Sequence, residues 1–204
     1  MSSEIKADLI KDKSGTKTLA TLSSSTATLH SDVIFPAGHI VQTKFVSFDD
    51  IQSIGNGSSG GSTFTNIGSG VSGKEFSIDM SVSSGNKIYG SGAVNIVANN
   101  RYSCIKIYVD STQIAMGLAS GSRTQVTASS TYNPDVSYSN FYMNQVSFAF
   151  THAPANTNSF AYTVKGGNVY SDDKITYINK TQSDGDSTIG VRGYSHFILM
   201  EIAQ

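Results

Sequence analysis

The side chains that could do chemistry in this chain are few and widely separated. Its four histidines, His30, His39, His152 and His196, stand singly, and no two of them have the His-x3-His spacing of a zinc site. Cys104 is the only cysteine, so no intrachain disulfide can form, and it lies in an apolar run typical of a strand. We expect the histidines at strand ends or on the surface, and Cys104 in the core.

The acidic residues form only a partial pattern for binding Ca²⁺. Asp172-Asp173 and Asp184-Gly-Asp186 could supply oxygen ligands, but the full calcium loop with its terminal glutamate is missing. The chain also lacks a Gly-x4-Gly-Lys-Ser/Thr phosphate loop, and no pair of carboxylates stands out for glycoside cleavage. We therefore expect no cofactor, no metal and no catalytic residue, which favours a protein that is not an enzyme.

The composition limits the partners that this chain can have. Charged residues make up 14% of it, against about 25% in an average globular domain. The net charge is −1 and no basic run occurs, which argues against nucleic-acid binding. No segment approaches the roughly 18 apolar residues of a membrane span, and the N-terminus lacks a secretory signal. We expect a protein that folds in the cytoplasm, inserts into no membrane, and has a neutral surface that permits close contact between subunits.

Short segments with alternating side chains run through most of the chain. Turn residues separate them, and none shows a sustained helical period, so each predicts a strand. Eight to ten such strands predict an all-β fold, an antiparallel β-sandwich with a jelly-roll-like head. The predicted strands are 39–48, 76–82, 87–98, 104–109, 113–116, 123–128, 141–150, 160–164, 175–178 and 196–202.

Two further segments carry specific expectations. Residues 55–73 are rich in glycine and serine and predict a solvated loop, interrupted by Phe64 and Ile67, with a binding role as the alternative. The run 197–202 is apolar on both faces apart from Glu201. Such a run is typical of a central strand that is enclosed on both sides.

The first 34 residues differ from the rest of the chain. They hold many of the charged residues, and their apolar residues occur singly or in pairs. These apolar residues are too few to form a core of their own. They predict an N-terminal attachment segment or short shaft in β or extended conformation, with a disordered tail as the alternative. A break at 35–38 then opens the head domain, residues 35–204.

Aromatic residues are common in the predicted loops of the head. Tyrosine offers a large contact area at a small entropic cost, so it is frequent at recognition surfaces and between subunits. A half-buried position in a sheet is the alternative for each of them. The tyrosines that predict surface, receptor or subunit contacts are Tyr132, Tyr138, Tyr142, Tyr170 and Tyr194.

Five segments in order along the chain resemble a family of marine bacteriophage proteins described as tail-fibre-like or virion structural proteins. The resemblance covers about residues 35–204, and the turn near residues 12–16 is similar to the N-terminal segments of many such proteins. The five segments are FPAGHIVQ (35–42), STFTNIG (62–68), TQIAMG (112–117), ASGSRT (119–124) and FILMEIA (197–203).

The resemblance implies a virion component with a role in structure and no assigned catalytic residue. It implies a homotrimeric head that projects from the tail or capsid surface, attached through residues 1–34 to other phage proteins, with a host cell-surface glycan or protein as a further partner. Only 34 residues precede the head, far fewer than a long fibre needs, so a spike or a capsid decoration or head-fibre protein is the alternative. A carbohydrate-binding module and a polysaccharide depolymerase are the other two hypotheses.

Overall fold

The computed structural model describes residues 9–11, 18–22, 27–29, 36–55, 64–71, 73–98, 102–130, 142–169, 175–185 and 190–204. The chain divides into two compact units, Met1–His39 and Ile40–Gln204. In the first unit the three strands β1 (Leu9–Lys11), β2 (Thr18–Leu22) and β3 (Ala27–Leu29) form an antiparallel sheet in that order, and Ala20 is buried. The attachment role predicted for residues 1–34 stays a prediction.

The second unit is built from strands, and the described residues contain no helix. The all-β prediction is therefore confirmed. Its strands are β4 (Ile40–Phe48), β5 (Gln52–Gly55), β6 (Phe64–Asn66), β7 (Ser77–Ser81), β8 (Lys87–Ala98), β9 (Ser103–Val109), β10 (Thr112–Ile114), β11 (Ala128–Ser129), β12 (Asn144–His152), β13 (Ser159–Asn168), β14 (Ile175–Ile178) and β15 (Ser195–Ile202).

The strands form two antiparallel sheets in a jelly-roll order. In one sheet β15 lies between β4 and β8, β12 pairs with β8, and β14 and β5 extend the sheet. In the other, β13 lies between β7 and β9, and β10 and β11 pair with β9. The chain crosses repeatedly between the two sheets, and the C-terminal strand returns beside the first long one, as in a double-sheet jelly roll.

The core between the sheets depends on two glycines in β8. Phe148 and Phe150 on the paired strand β12 are buried, and their rings pack against Phe197. A Cβ added at Gly90 would fall on the ring of Phe150, and one at Gly92 would meet the ring of Phe148. The glycines therefore leave the space that the two rings fill, a close approach that no larger residue allows.

Asn179 is a buried polar side chain that joins several strands. It follows β14 with a φ of 57°, a left-handed conformation that asparagine tolerates better than most residues. Its Nδ2 donates to the carbonyl oxygens of Phe48 (2.6 Å) and Asp50 (3.0 Å), and its Oδ1 accepts from Ser195 Oγ (2.7 Å). These bonds fix the end of β4 to the start of β15, so they set the register at that end of the sheet.

Two sequence predictions are corrected within the described residues. Residues 64–68 are not part of a solvated loop: β6 pairs with β13, and Ile67 is fully buried, with its N–H bonded to Val164, while Ser69 and Gly70 form an exposed turn. Periodicity did not show this strand because it is three residues long and flanked by glycine. The strand predicted at 123–128 is also wrong, since pairing with β9 is limited to Ala128–Ser129.

Candidate assembly surface

The outer face of the β4–β15–β8–β12 sheet carries a patch of uncharged side chains. Residues directly opposite each other in paired strands point to the same face, so the register defines three rows across the four strands. None of these residues is Asp, Glu, Lys or Arg. The rows, which we call the outer patch, are Ser47–His196–Ala93–Ser147, Phe45–Ile198–Ser91–Ala149 and Thr43–Met200–Tyr89–Thr151.

Large rings stand out from this patch. Phe45 is 57% exposed and Tyr89 is 38% exposed, while Tyr194, at the end of the patch, is 50% exposed. The ring centroid of His196 lies 6.5 Å from that of Phe45 and 6.4 Å from that of Tyr194, with interplanar angles of 17° and 25°. The three rings therefore form a row of similar orientation that runs from β4 to the start of β15.

The C-terminal strand differs from its prediction on this side. It is central in the sheet, and Phe197 and Leu199 are fully buried in the core, as expected. The alternate residues Ile198, Met200 and Ile202 are only partly buried on the outer side, so enclosure on both faces is wrong for the chain alone. An apolar run on both faces is typical of a strand that is covered on both sides.

A hollow adjoins the outer patch at the end where β15 finishes. Its volume is about 300 Å³, and Tyr89, Thr151 and Ile202 contribute to its lining together with Lys87. The patch itself measures about 19 Å across four strands and about 17 Å along five residues, a projected area of about 320 Å². A stable interface buries about 800 Å² on each partner, so the patch can form only the centre of a contact.

The structure describes two of the five tyrosines that the sequence singled out. Tyr142 and Tyr194 are both exposed. Their chain neighbours Met143 and Gly193 lie against each other, so the two tyrosines are at the same end of the sheet. Tyr132, Tyr138 and Tyr170 lie outside the described residues. The sequence predicted His196 at a strand end or on the surface, which agrees with its place at the start of β15. It did not single out Phe45 or Tyr89 as surface residues, although alternation in residues 39–48 placed Phe45 opposite the core-facing Val46 and Phe48.

A buried carboxylate lies on the core side of the same sheet. Glu201 on β15 is 1% exposed, and it accepts hydrogen bonds from Gln42 Nε2 (2.6 Å), Asn86 Nδ2 (2.7 Å) and the Ser83 N–H (2.7 Å). Burial alone would raise the pKa of Glu201, but these donors outweigh it and hold the pKa below its ordinary value. The charged form therefore ties the last strand to β4 and to the turn before β8.

The other reactive side chains are in structural contacts. Cys104 is buried, as expected, and desolvation raises the pKa of its thiol to about 11 despite the nearby Lys106. His152, at the end of β12, lies 2.9 Å from the Tyr162 hydroxyl; burial lowers the pKa of His152 and, with Asp110, raises the pKa of Tyr162 to about 12. Both groups of this pair are therefore neutral at pH 7.

The calcium pattern is only partly described. Asp184 forms ion pairs with Arg192 (2.7 Å) and Lys180 (3.6 Å), while Asp172, Asp173 and Asp186 lie outside the described residues. Over the described ranges, no three His, Cys, Asp or Glu side chains come together as a metal site. The same part of the chain contains no helix long and apolar enough to span a membrane.

Comparison with known proteins yields distant structural likenesses and no sequence match. No protein-family model matches the chain, and no curated protein matches its sequence. A chain in a solved structure of the infectious bursal disease virus Gx strain resembles it with a TM-score of 0.39 and 9% identity. The alignment covers 91% of this chain and 42% of the viral chain, so this chain spans less than half of that protein.

Proposed function

We propose that this protein is a non-enzymatic structural subunit of a bacteriophage virion, a tail-fibre-like or spike module whose heads assemble through the outer patch. The sequence segments that resemble virion proteins favour this class of function. The single observation that carries the assembly step is the outer side of β15, where Ile198 and Met200 lie between exposed rings of neighbouring strands. A jelly-roll fold alone does not identify the function, because proteins with this fold have many different functions.

A second copy of this chain is the occupant that the outer patch fits best. Its three rows carry no Asp, Glu, Lys or Arg, so three copies of the patch can converge on a threefold axis without bringing like charges together. Its strands also expose apolar side chains that would be desolvated by contact, which stabilises association by about 25 cal/mol per Å² of apolar area removed from water.

The patch is too small to form a stable interface by itself, so further contacts are needed. Tyr142 and Tyr194 at the sheet end enlarge the contact area, and residues 1–34 supply attachment to other virion proteins in this proposal. A homotrimer is the assembly that the family resemblance implies. The head then projects, with its loops available to a glycan or protein of the host surface.

The alternative is that the same subunit decorates the capsid. The location of the chain on the particle distinguishes this role from that of a tail-fibre-like or spike module. Mass spectrometry of purified particles should detect the chain, and gold-labelled antibodies should mark the tail or its base. Labelling across the head shell would favour the decoration protein, and absence of the chain from intact particles would contradict a virion role altogether.

A carbohydrate-binding module is the competing function, favoured by the row of rings Phe45, His196 and Tyr194. Sugars stack on exposed rings, and a glycan array probed with the purified chain tests this directly. Signal that is lost in Phe45→Ser but kept in Leu118→Ser would favour sugar binding at the row. Release of reducing ends from host polysaccharide would instead indicate a depolymerase.

A further inference from the structure

A cleft runs along one edge of β12. Its volume is about 530 Å³, and it is lined on one side by the consecutive residues 147–151 of β12 and on the other by Ala115, Met116, Gly117 and Thr127. Alternate side chains of a strand point to opposite faces of the sheet. Consecutive residues can therefore line one cleft only where the cleft follows the edge of the strand, where the backbone groups point.

The hydrogen bonds of β8 show which of its residues direct their backbone N–H and C=O groups toward β12 and which toward β14 and β15. Asn95 donates its N–H to Ser195 Oγ (3.0 Å) and accepts at its carbonyl from the N–H of Asn179 (2.9 Å), so both groups point toward β14 and β15. The direction alternates along a strand, because the N–H and C=O of one residue point to the same side. The even-numbered neighbours of Asn95 in β8 therefore point toward β12.

The register of the β8–β12 pair then shows which residues of β12 direct their backbone groups to the other edge, which pairs with no strand among the described residues. Gly92 lies opposite Phe148 and Gly90 opposite Phe150, so these phenylalanines direct their backbone groups to β8. The intervening Ser147, Ala149 and Thr151 direct theirs to the other side, which is the cleft. The cleft thus presents a ladder of alternate N–H and C=O groups along one strand.

In the described part of the chain, this edge lacks three features that usually prevent strand addition. Sheets protect exposed edges with charged side chains, proline or bulges. Residues 145–151 contain no charged residue and no proline, and their register with β8 runs without a bulge. An edge of this kind is suited to pairing with another chain.

The dimensions and chemistry of the cleft indicate what would pair there. Five strand residues extend about 17 Å, so a volume of 530 Å³ corresponds to a mean cross-section of about 30 Å². One chain in a sheet layer with full-sized side chains occupies about 4.8 by 10 Å, which is more than this cross-section, so the cleft admits one extended chain only if its side chains are small, and it has no room for a second sheet. Its lining contains no charged residue, and Met116 and Leu118 offer exposed apolar groups near its rim.

We propose that this cleft binds a single extended peptide segment of a partner protein, uncharged and rich in Ala, Ser, Thr and Gly, which adds to β12 as an antiparallel or parallel strand. Main-chain hydrogen bonds to Ser147, Ala149 and Thr151 supply the affinity, and the narrow, uncharged lining selects small residues. Ser147, Ala149 and Thr151 also end the three rows of the outer patch, but the inference uses their backbone groups and not their side chains. It requires neither that the outer patch is an interface nor that the protein has a virion role.

A synthetic peptide, acetyl-Gly-Thr-Ala-Thr-Ala-Thr-Gly-amide, is the probe that tests it on the full chain. Calorimetry should detect binding below about 5 mM, and amide exchange at Ser147, Ala149 and Thr151 should slow at least about tenfold, while Phe148 and Phe150 stay unchanged. Ala149→Pro removes the central N–H of the edge and leaves the bonds to β8 intact, so it should weaken binding about tenfold. Ala149→Val keeps that N–H and should bind as the unmodified chain does.

A second pair of probes does not depend on whether Ala149→Pro folds. Peptides N-methylated either at the alanines or at the threonines should differ, because only alternate N–H groups of an added strand face β12. One of the two should lose binding and the other keep it. No binding of the parent peptide at about 5 mM, equal binding by both methylated peptides, or equal binding by a peptide with Glu at the alanine positions would overturn the proposal. The mass of the protein, measured in the same samples, reports on the outer patch independently.

Discussion

The Ser195 hydroxyl on the C-terminal strand donates a 2.7 Å hydrogen bond to Oδ1 of Asn179, whose own Nδ2 reaches the carbonyl of Phe48 at 2.6 Å. One fully buried amide side chain therefore joins the end of the first long strand of the head to the start of the last. These strands are far apart in sequence and adjacent in the sheet.

Asn179→Ala should lower the free energy of unfolding by about 3–5 kcal/mol, because it leaves buried partners without hydrogen bonds and places Ala in a left-handed conformation. Asn179→Gly should lose about 1 kcal/mol less, since glycine tolerates that conformation. Urea denaturation of the three proteins measures both differences. A loss below about 1 kcal/mol for Asn179→Ala would contradict the role given to this side chain.

Glu201 should make the fold sensitive to acid. Its pKa in the folded chain lies below the ordinary value, so the unfolded chain binds more protons as the pH falls. The stabilisation is fully present above the unfolded pKa of about 4.3 and is lost as the pH falls through the folded pKa. Glu201→Gln should be less stable than the unmodified chain at pH 7, and the difference should shrink toward pH 3. A constant difference between pH 7 and pH 3 would exclude this linkage.

Cys104 should react slowly with thiol reagents in the native protein. Its pKa of about 11 leaves roughly one thiolate per thousand molecules at pH 8, and the side chain is buried as well. A colorimetric disulfide reagent should therefore label it at least about a hundred times more slowly in buffer than in guanidinium chloride. Equal rates in the two solvents would show that the thiol is accessible.

Gly90→Ala should destabilise the head by about 1–3 kcal/mol, because the added methyl group meets the ring of Phe150 and overpacks the core. Gly55→Ala is a matched control on β5, where a Cβ meets nothing within 4 Å. Thermal unfolding monitored by circular dichroism compares the two. Similar melting temperatures for both variants would show that Phe150 moves aside at little cost.

The sequence was sufficient to predict the strands with clear alternation, but not the short ones. Residues 87–98 and 175–178 were predicted as β8 and β14 with the correct ends, because apolar side chains and turn residues bound them. The strand Phe64–Asn66 was missed, since its pairing depends on Gly166 and Gly167 across the sheet, a contact that local pattern does not contain.

The candidate surface could be predicted less well than the fold. The frequency of tyrosine in the predicted loops indicated contact surfaces there. In the structure, Phe45 and Tyr89 are exposed apolar residues on the face of a sheet. Which face of a strand is covered depends on the second sheet and on partners, so alternation alone cannot distinguish an outer apolar residue from a core residue. The apolar outer side of β15 was visible in the sequence but was interpreted as enclosed.

The molecular mass of the full chain in solution tests the central claim most directly. Light scattering between about 1 and 100 μM should give a mass that rises with concentration to about three times the 21.6 kDa of one chain. Phe45→Asp, which places a charge in the outer patch, should stay monomeric, whereas Leu118→Asp, at a residue that is 97% exposed and belongs to none of the three rows, should assemble normally. A monomer over the whole range, or assembly that Phe45→Asp leaves unchanged, would contradict subunit contact through this face.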